Sequence, residues 1–413
     1  MMKLLMISGD RSILQGKKGA FWYTLQELSK HWERIDIITP PPPHQSRSSS
    51  RVAPRGSDAG QAPGPLPPAH STGSTSSPQA GSGQAGERGR VFENVFFHPS
   101  SRGLWYQPWW ILIKGAELIK EHHHNVMTVH DYPPFYNGLG ARWLHRAMNI
   151  PYMTEIHHIV GYPRAASLSE WIGYWMSRTW LPRWGTDMAT AVRVVSGETW
   201  RVLQSWEIPL KKFFVQSSIY LDYSALKPDP SIAKQYDCVF CGRLVPNKGL
   251  DNILKAIAGI PKATLLVIGD GPERKRCEKL AESLGIKASV IFTGWLPTQA
   301  DVYRALQSGK IFVMNSVSEG GPRVLFEAMA LGMPVISTRV GSAPQFIGDG
   351  HDGLLTNGDP NDLREKITML LQNDQMRLRL GAAARHVLDV FDRASLVKTY
   401  ADSLTNIATT HCS

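Results

Sequence analysis

Cysteine is scarce in this chain: four residues in 413, at Cys238, Cys241, Cys277 and Cys412. Cys238 and Cys241 have C-x-x-C spacing but fall on a predicted strand, where residues three apart face opposite ways. No second pair or nearby histidine cluster completes a zinc site, so they read as buried packing residues. Long apolar runs are missing too. With no stretch of about 18 apolar residues, a membrane-spanning helix is not expected. The opening run, Met1 to Ser8, reads as a strand, since it lacks the apolar core and cleavage site of a secretory signal. A cytoplasmic chain is expected, with any membrane contact peripheral and at the inner face. No Asp-x-Asp pair of the metal-chelating kind occurs in the sequence. Acidic residues are outnumbered, 35 against 45 Lys and Arg, for a net charge of +10. That balance suits nucleic acid, an anionic membrane or phosphorylated ligands. The basic residues are dispersed and no nucleic-acid motif accompanies them, which favours phosphate-bearing ligands and anionic lipid surfaces.

With 42% hydrophobic and 19% charged residues, the composition is globular, and the length suits two or three domains. Strands are predicted at Lys3 to Ser8, Arg34 to Thr39, Val91 to Phe97, Val126 to His130, Tyr152 to Ile156 and Ala191 to Val195, with helical segments between. Pro, Ser, Gly, Gln and Ala dominate residues 40–90. Such a segment cannot bury enough apolar surface to offset the entropy of ordering and is expected to be disordered. A second series of strands reads at Asp237 to Cys241, Thr264 to Ile268, Val290 to Thr293, Ile311 to Met314 and Val335 to Thr338, each followed by a helix. This alternation predicts two doubly wound α/β halves, residues 1–216 and 217–393. Ligands of such folds bind in the crevice outside the carboxyl ends of the strands.

The most informative stretch runs from Ser318 to Pro334. It places Glu319 on a glycine loop and Glu327, eight positions on, inside a helix. Pro322 suits the first helical position and Gly332 the position just past the end. Gly320 and Gly321 leave the backbone bare at that N-terminus, where free N–H groups and the helix dipole attract an anion. One carboxylate therefore addresses the body of a ligand while the other binds a different part of it. The alternative is a surface loop before an ordinary helix, with Glu327 solvated. Gly242 to Gly249 also follows a strand and opens a helix, so Arg243 and Lys248 would project where a diphosphate needs compensating charge.

Together these stretches resemble the E-x7-E donor site and the G-R-L-x-x-x-K-G segment of family 4 retaining glycosyltransferases, the glycosyl transferases group 1, which have the GT-B fold. The resemblance is strong from about Asp237 to Leu355 and is one of pattern elsewhere. It implies two Rossmann-like domains facing a central crevice, the first for the acceptor and the second for the donor. It also implies that the last helix, around Ala394 to Ala408 within 394–413, packs back across the junction. The implied reaction moves a sugar from a nucleotide-diphosphate sugar to a hydroxyl acceptor, lipid-linked acceptors included, in polysaccharide, lipopolysaccharide or glycolipid synthesis. No cofactor or metal is implied: Arg243, Lys248 and the Gly320 and Gly321 amides would neutralise the leaving diphosphate. Glu319 would bind sugar hydroxyls and Glu327 the ribose, with Pro322 shaping the donor loop. The resemblance aligns Gly19 with a glycine-rich loop over the phosphates. It also gives His157, after the Tyr152 to Ile156 strand, the role of positioning the sugar, with His130 as its rival and a packing role open at both. Gln345 departs from the glutamate that many relatives carry. Two other outcomes stay open, a GT-B nucleotide-sugar epimerase and a non-catalytic nucleotide-sugar-binding scaffold.

Further readings come from the residues themselves. His122 to His124 read as a solvated helix end helped by the dipole. Aromatic residues crowd Leu104 to Trp110 and Trp171 to Trp184. Aromatic side chains beside Arg178 and Arg183 suit interfacial membrane binding, although Trp171, Trp175 and Arg178 also fit one helical stripe of the kind that packs into a core.

Overall fold

In a computed structural model, residues 1–15, 19–41, 90–209 and 212–411 are described. Most of the 40–90 segment therefore lies outside the described residues, as do positions 16–18. Among the described residues, eight strands form the first sheet: β1 (Lys3–Ile7), β2 (Arg34–Thr39), β3 (Arg90–Phe92), β4 (Val95–Pro99), β5 (Val126–His130), β6 (Tyr152–Ile156), β7 (Ala191–Val194) and β8 (Phe213–Val215). Their order is β3-β4-β2-β1-β5-β6-β7-β8. A second sheet holds β9 (Tyr236–Cys241), β10 (Leu265–Ile268), β11 (Val290–Gly294), β12 (Gly309–Met314), β13 (Val335–Thr338) and β14 (Leu354–Thr356), in the order β11-β10-β9-β12-β13-β14. Strands such as β10 (LLVI) and β13 (VIST) are buried throughout, as suits parallel strands covered by helices on both faces.

In each sheet the strand order reverses beside the first strand of the series, between β1 and β5 and between β9 and β12. The loops that leave those strands therefore splay apart and open a crevice. Residues 242–249 follow β9 and residues 315–321 follow β12, so both basic and glycine-rich loops arise at one switch point.

Two expectations need correction. The predicted strand Val91 to Phe97 is two strands: β3 turns back at Glu93 and Asn94 and pairs antiparallel with β4. Asn94 fixes the turn by donating from Nδ2 to the carbonyls of Ser29 (2.8 Å) and Trp32 (2.7 Å). The histidine run is not wholly solvated either. His124 is buried, with Nε2 2.8 Å from Asp36 Oδ2. Burial favours the neutral acid there, yet hydrogen bonds from His124, His98 and Arg34 hold the Asp36 carboxyl far below its usual range.

The two halves meet through few, specific contacts. Ser318 Oγ donates to the Tyr162 carbonyl (2.7 Å), and the Gly341 N–H donates to Glu198 Oε2 (2.7 Å). A Cβ on Gly320 would lie 2.2 Å from the His157 carbonyl, so only glycine allows the loops to approach this closely. The C-terminal helix (Arg393–His411) follows the second half but docks on the first. Its Val397, Tyr400, Ala401, Leu404, Ile407 and Ala408 share a core cluster with Leu4, Met6, Val126 and Met153. The spacing of three and four residues is that of one helical stripe. Its start is anchored by Arg393, which pairs with Asp222 at 2.9 Å.

Two outcomes follow. Gly249 has φ +61°, and a Cβ there would meet the Asn315 carbonyl at 2.2 Å. Gly249→Ala is expected to cost about 2–4 kcal/mol from combined strain and overlap, read as a lower urea midpoint with an unchanged slope. Burial pushes the Glu198 carboxyl up to about 7. The stability that the buried neutral acid contributes here is full below the ordinary carboxyl range and is lost as pH climbs towards 7, because ionising the buried group costs more than the strengthened bond from Gly341 returns. X-ray scattering should show a more compact protein at pH 5 than at pH 8, and Glu198→Gln should erase the difference.

Candidate active site

On the second half, the β9 and β12 loops are stitched into one surface. Val317 N–H donates to the Asn247 carbonyl (2.8 Å), and Asn315 Nδ2 to the Gly249 carbonyl (3.1 Å). This brings the Lys248 ammonium onto Glu319 Oε1, which also accepts from Ser316 Oγ at 2.8 Å. The pair is partly exposed, so the ammonium and the carboxylate neutralise each other while remaining open to exchange partners. Arg243 is exposed and forms no ion pair with any described residue. Gly269, at φ +127°, and Gly271 support this loop from below. A Cβ on either would strike the Gly242 or Leu244 carbonyl at 2.0 or 2.3 Å, so both glycines serve the turn.

The helix after the glycine pair spans Arg323–Ala330. Pro322 caps it from one position outside the helix, at ψ 81°, where the sequence placed it inside. Gly332 closes the end at φ +74°. Glu327 is buried, not solvated. Its Oε1 accepts from Arg323 Nε (2.9 Å), Tyr303 OH (3.1 Å) and Gln299 Nε2 (3.3 Å). Trp295 is 64% exposed at the rim of the second sheet and is not packed.

On the first half, the carboxyl ends of β1, β5 and β6 border a cavity of roughly 260 Å³ lined by Asp10, Phe21, His130, His157, Arg323 and Tyr400, among others. Among its lining is Glu155, fully buried near the carboxyl end of β6. Oε2 accepts from Arg193 at 2.7 Å and stands 3.4 Å from His157 Nε2. Oε1 accepts from Thr128 and from Tyr400 OH (2.7 Å), and stands 3.3 Å from His130 Nε2. Burial alone would raise the Glu155 pKa, but His130 and Arg193 beside it outweigh that and hold the group well below its ordinary value. Burial lowers the His157 pKa, opposed by Glu155. The ligand-type atoms of His130, Glu155 and His157 all lie within 4.8 Å of one another. With Arg193 and Tyr400 already on the carboxylate, however, the trio is a hydrogen-bonded network with its charge met by a guanidinium.

The structure thus gathers Lys248, Glu319, Gly320 and Gly321 at one point and sets the His157 backbone against Gly320. The adjacent His158 feels both Glu319 and Lys248, and burial depresses its pKa. Gly19 sits just before the helix Ala20–Leu28, where an added Cβ meets nothing within 4 Å, so no steric demand for glycine exists there. Asp131, beside His130, turns away from the crevice: it accepts from Gly138 N–H (2.9 Å) and Trp180 Nε1 (3.1 Å). Glu155, Arg193 and Tyr400 were not found from the sequence. The signal was a lone charge in each of two apolar strands, Tyr-Met-Thr-Glu-Ile and Ala-Val-Arg-Val, which demands a buried partner.

Comparison with known proteins bears on the family likeness and the fold. Residues 225–387 match the family model for glycosyl transferases group 1. The lipopolysaccharide core biosynthesis glycosyltransferase LpsE of Rhizobium meliloti (strain 1021) is 34% identical over 161 residues, 38% of this chain and 46% of LpsE, so the match spans less than half of that relative. N-acetyl-alpha-D-glucosaminyl L-malate synthase of Bacillus anthracis is 26% identical over 332 residues, 75% of this chain and 84% of that protein. Among solved structures, sucrose-phosphate synthase from Thermosynechococcus elongatus superposes with a TM-score of 0.74 at 18% identity, covering 99% of this chain and 100% of that one. Anabaena HepE, solved with UDP and glucose, gives 0.69 at 16% identity, covering 98% of this chain and 100% of that one. The second α/β half is therefore similar to the glycosyl transferases group 1 family, within a two-domain GT-B fold.

Proposed function

We propose that the protein transfers a sugar, with retention and without a divalent metal, from a nucleotide-diphosphate sugar to a hydroxyl acceptor. The observation that carries this reading is the Lys248–Glu319 pair beside the Gly320–Gly321 loop, facing the His157 side of the crevice. An arriving diphosphate takes Lys248 and the unpaired Arg243, and the loop amides add N–H donors where charge develops as the glycosidic bond breaks. Glu319, released from Lys248, is free to accept from sugar hydroxyls. Glu327 has three donors on Oε1, which fixes the carboxylate and leaves Oε2 for the ribose. The cavity holding His157 takes the acceptor hydroxyl, whose proton passes to the leaving phosphate on the same face.

The names of LpsE and the malate synthase, and the UDP bound by HepE, guide the choice of substrates. UDP sugars come first as donors, and glycolipid or polysaccharide as acceptors. Peripheral membrane contact belongs to the same reading. The helix Leu168–Trp180 buries Gly173 and Ser177, while Trp171 (53% exposed) and Trp175 (45%) stay on the surface beside Arg178. This stripe is therefore not core, and it suits an interfacial site for anionic lipid. No helix among the described residues is long and apolar enough to cross a membrane.

Nucleotide release from UDP, GDP and ADP sugars, with EDTA and a lipid and polysaccharide extract, tests the reaction. Glu319→Ala and Lys248→Ala should each lower turnover by roughly 100-fold or more, on the scale of lost transition-state electrostatics. The product should keep the donor's anomeric configuration by NMR. An inverted product, or activity that chelation abolishes, would sink the mechanism. Sedimentation with phosphatidylglycerol vesicles should capture the wild type more than a Trp171→Ser/Trp175→Ser variant, whereas phosphatidylcholine vesicles should capture neither. Equal capture of both proteins would rule out this stripe as the contact.

A further inference from the structure

We propose that Glu155 is the positioning residue of the acceptor-side imidazole: its buried carboxylate holds His157 with the proton on Nε2, leaving Nδ1 as a hydrogen-bond acceptor towards the cavity. The assignment follows from counting donors. Arg193 donates to Glu155 Oε2, and Thr128 and Tyr400 donate to Oε1, so every occupied lone pair of this carboxylate faces a donor. His157 Nε2 is shielded from solvent, has no hydrogen-bond partner and stands 3.4 Å from Oε2. A bare nitrogen lone pair facing an ionised carboxylate is repelled, whereas an N–H there is attracted, which selects the Nε2–H tautomer.

The neighbouring His130 follows the same logic. Ser8 Oγ accepts from the Asp10 N–H (3.2 Å), so its own hydrogen is free for His130 Nδ1 at 3.3 Å. His130 Nε2 therefore carries a proton towards Glu155 Oε1. The two rings lie 4.8 Å apart between centroids. They differ in one respect: His130 Nδ1 is taken by Ser8, while His157 Nδ1 has no partner among the described residues. Only His157 thus offers a free acceptor nitrogen to a ligand hydroxyl. Carboxylates behind catalytic imidazoles act in this way, by fixing the tautomer and ring orientation.

Tyr400 adds a longer connection. It stands on the C-terminal helix, which leaves the second half at Asp392, and its hydroxyl reaches Glu155 Oε1 across the first sheet. The orientation of the imidazole therefore depends on a helix anchored at the opposite domain through Arg393 and Asp222. The charged and titratable groups around His157 are Asp10 after β1, His130 on β5, Glu155 on β6, Arg193 on β7, Tyr220 in the connection, Arg323 and Tyr400. Arg193 also donates to Tyr220 OH at 3.0 Å, so it is held independently of the histidines.

The role in turnover rests on the glycosyl-transfer reading, but the tautomer does not, so the experiment has two arms. In the first, the imidazole nitrogens are observed by NMR in protein labelled with ¹⁵N-histidine, with His157 assigned from His157→Asn. Wild-type His157 should be the Nε2–H tautomer at pH 8. Glu155→Gln should depopulate it and lower the ring's titration midpoint by about one unit, since an opposing charge is removed. Tyr400→Phe, which takes one donor from Glu155 and leaves its charge, should move the same signals the other way, raising the midpoint, because the less shared carboxylate attracts the Nε2–H more strongly. It serves as the deciding variant if Glu155→Gln, with Arg193 left uncompensated, fails to fold. An Nδ1–H tautomer in the wild type, or signals unmoved in every folded variant, would overturn the proposal.

In the second arm, nucleotide release from UDP-glucose is measured. Glu155→Gln, or Tyr400→Phe in its place, should lower kcat roughly 10- to 100-fold for the loss of an orienting carboxylate, and to a smaller degree for Tyr400→Phe, with donor KM little changed. In the His157→Asn background the same substitution should add less than about twofold, because residues that act through one another are not additive. Fully additive losses would also overturn it. A wild type that releases no nucleotide from any sugar donor counts against the function proposed above, and the NMR arm then decides the tautomer by itself.

Discussion

A buried ion pair organises the first half of this protein. Glu155 and Arg193 sit on adjacent parallel strands, where two charges without partners would cost several kcal/mol each. The sheet tolerates them because each completes the other's requirements. Arg193 gives its remaining donors to the Gln216 and Ser217 carbonyls and to Tyr220, and the carboxylate collects Thr128 and Tyr400. Four of the elements around the His157 cavity therefore meet at one carboxylate: β5 through Thr128 and His130, β6 through His157, β7 through Arg193, and the C-terminal helix through Tyr400. Replacing either charge with an apolar residue would leave the other buried alone, so the pair constrains the fold as much as the site.

The second half is governed by backbone. Its loops at the carboxyl ends of β9, β10 and β12 are held by main-chain hydrogen bonds and by glycines pressed against carbonyls: a Cβ on Gly249, Gly269 or Gly271 would lie within 2.3 Å of a carbonyl oxygen. This difference explains what was legible in the sequence. Glycines in loops after apolar strands are local signals, and from them the positions of Arg243, Lys248, Glu319 and the glycine pair at the carboxyl ends of β9 and β12 could be read directly. The parallel order of the second series followed from the same alternation.

The first half was less legible because its constraints are distant in sequence. Glu155 and Tyr400 are 245 positions apart and Arg193 lies between them, so no local spacing announces the network. The turn between β3 and β4 falls on Glu93 and Asn94, two poor strand formers flanked closely by apolar residues, and depends on Asn94 reaching back to Ser29 and Trp32. The Trp171–Trp175 stripe has helical periodicity, but periodicity does not say which face is covered. There the small residues Gly173 and Ser177 pack inward and the large ones face out. The sequence favoured a ligand role for Glu327 over a solvated one, but gave no sign of the Arg323, Tyr303 and Gln299 donors that hold it.

The Lys248–Glu319 contact has one more consequence. An empty anion site that supplies its own counter-ion resists adventitious anions, because a free phosphate must separate the pair to gain the lysine and offers the glutamate nothing in return. A molecule carrying both a diphosphate and hydroxyls satisfies the two groups together. Once the sugar had departed, the glutamate would lose the sugar's donors and compete with the remaining diphosphate for the lysine. The same two side chains would thus discriminate in favour of the intact donor on entry and help to eject the spent nucleotide afterwards.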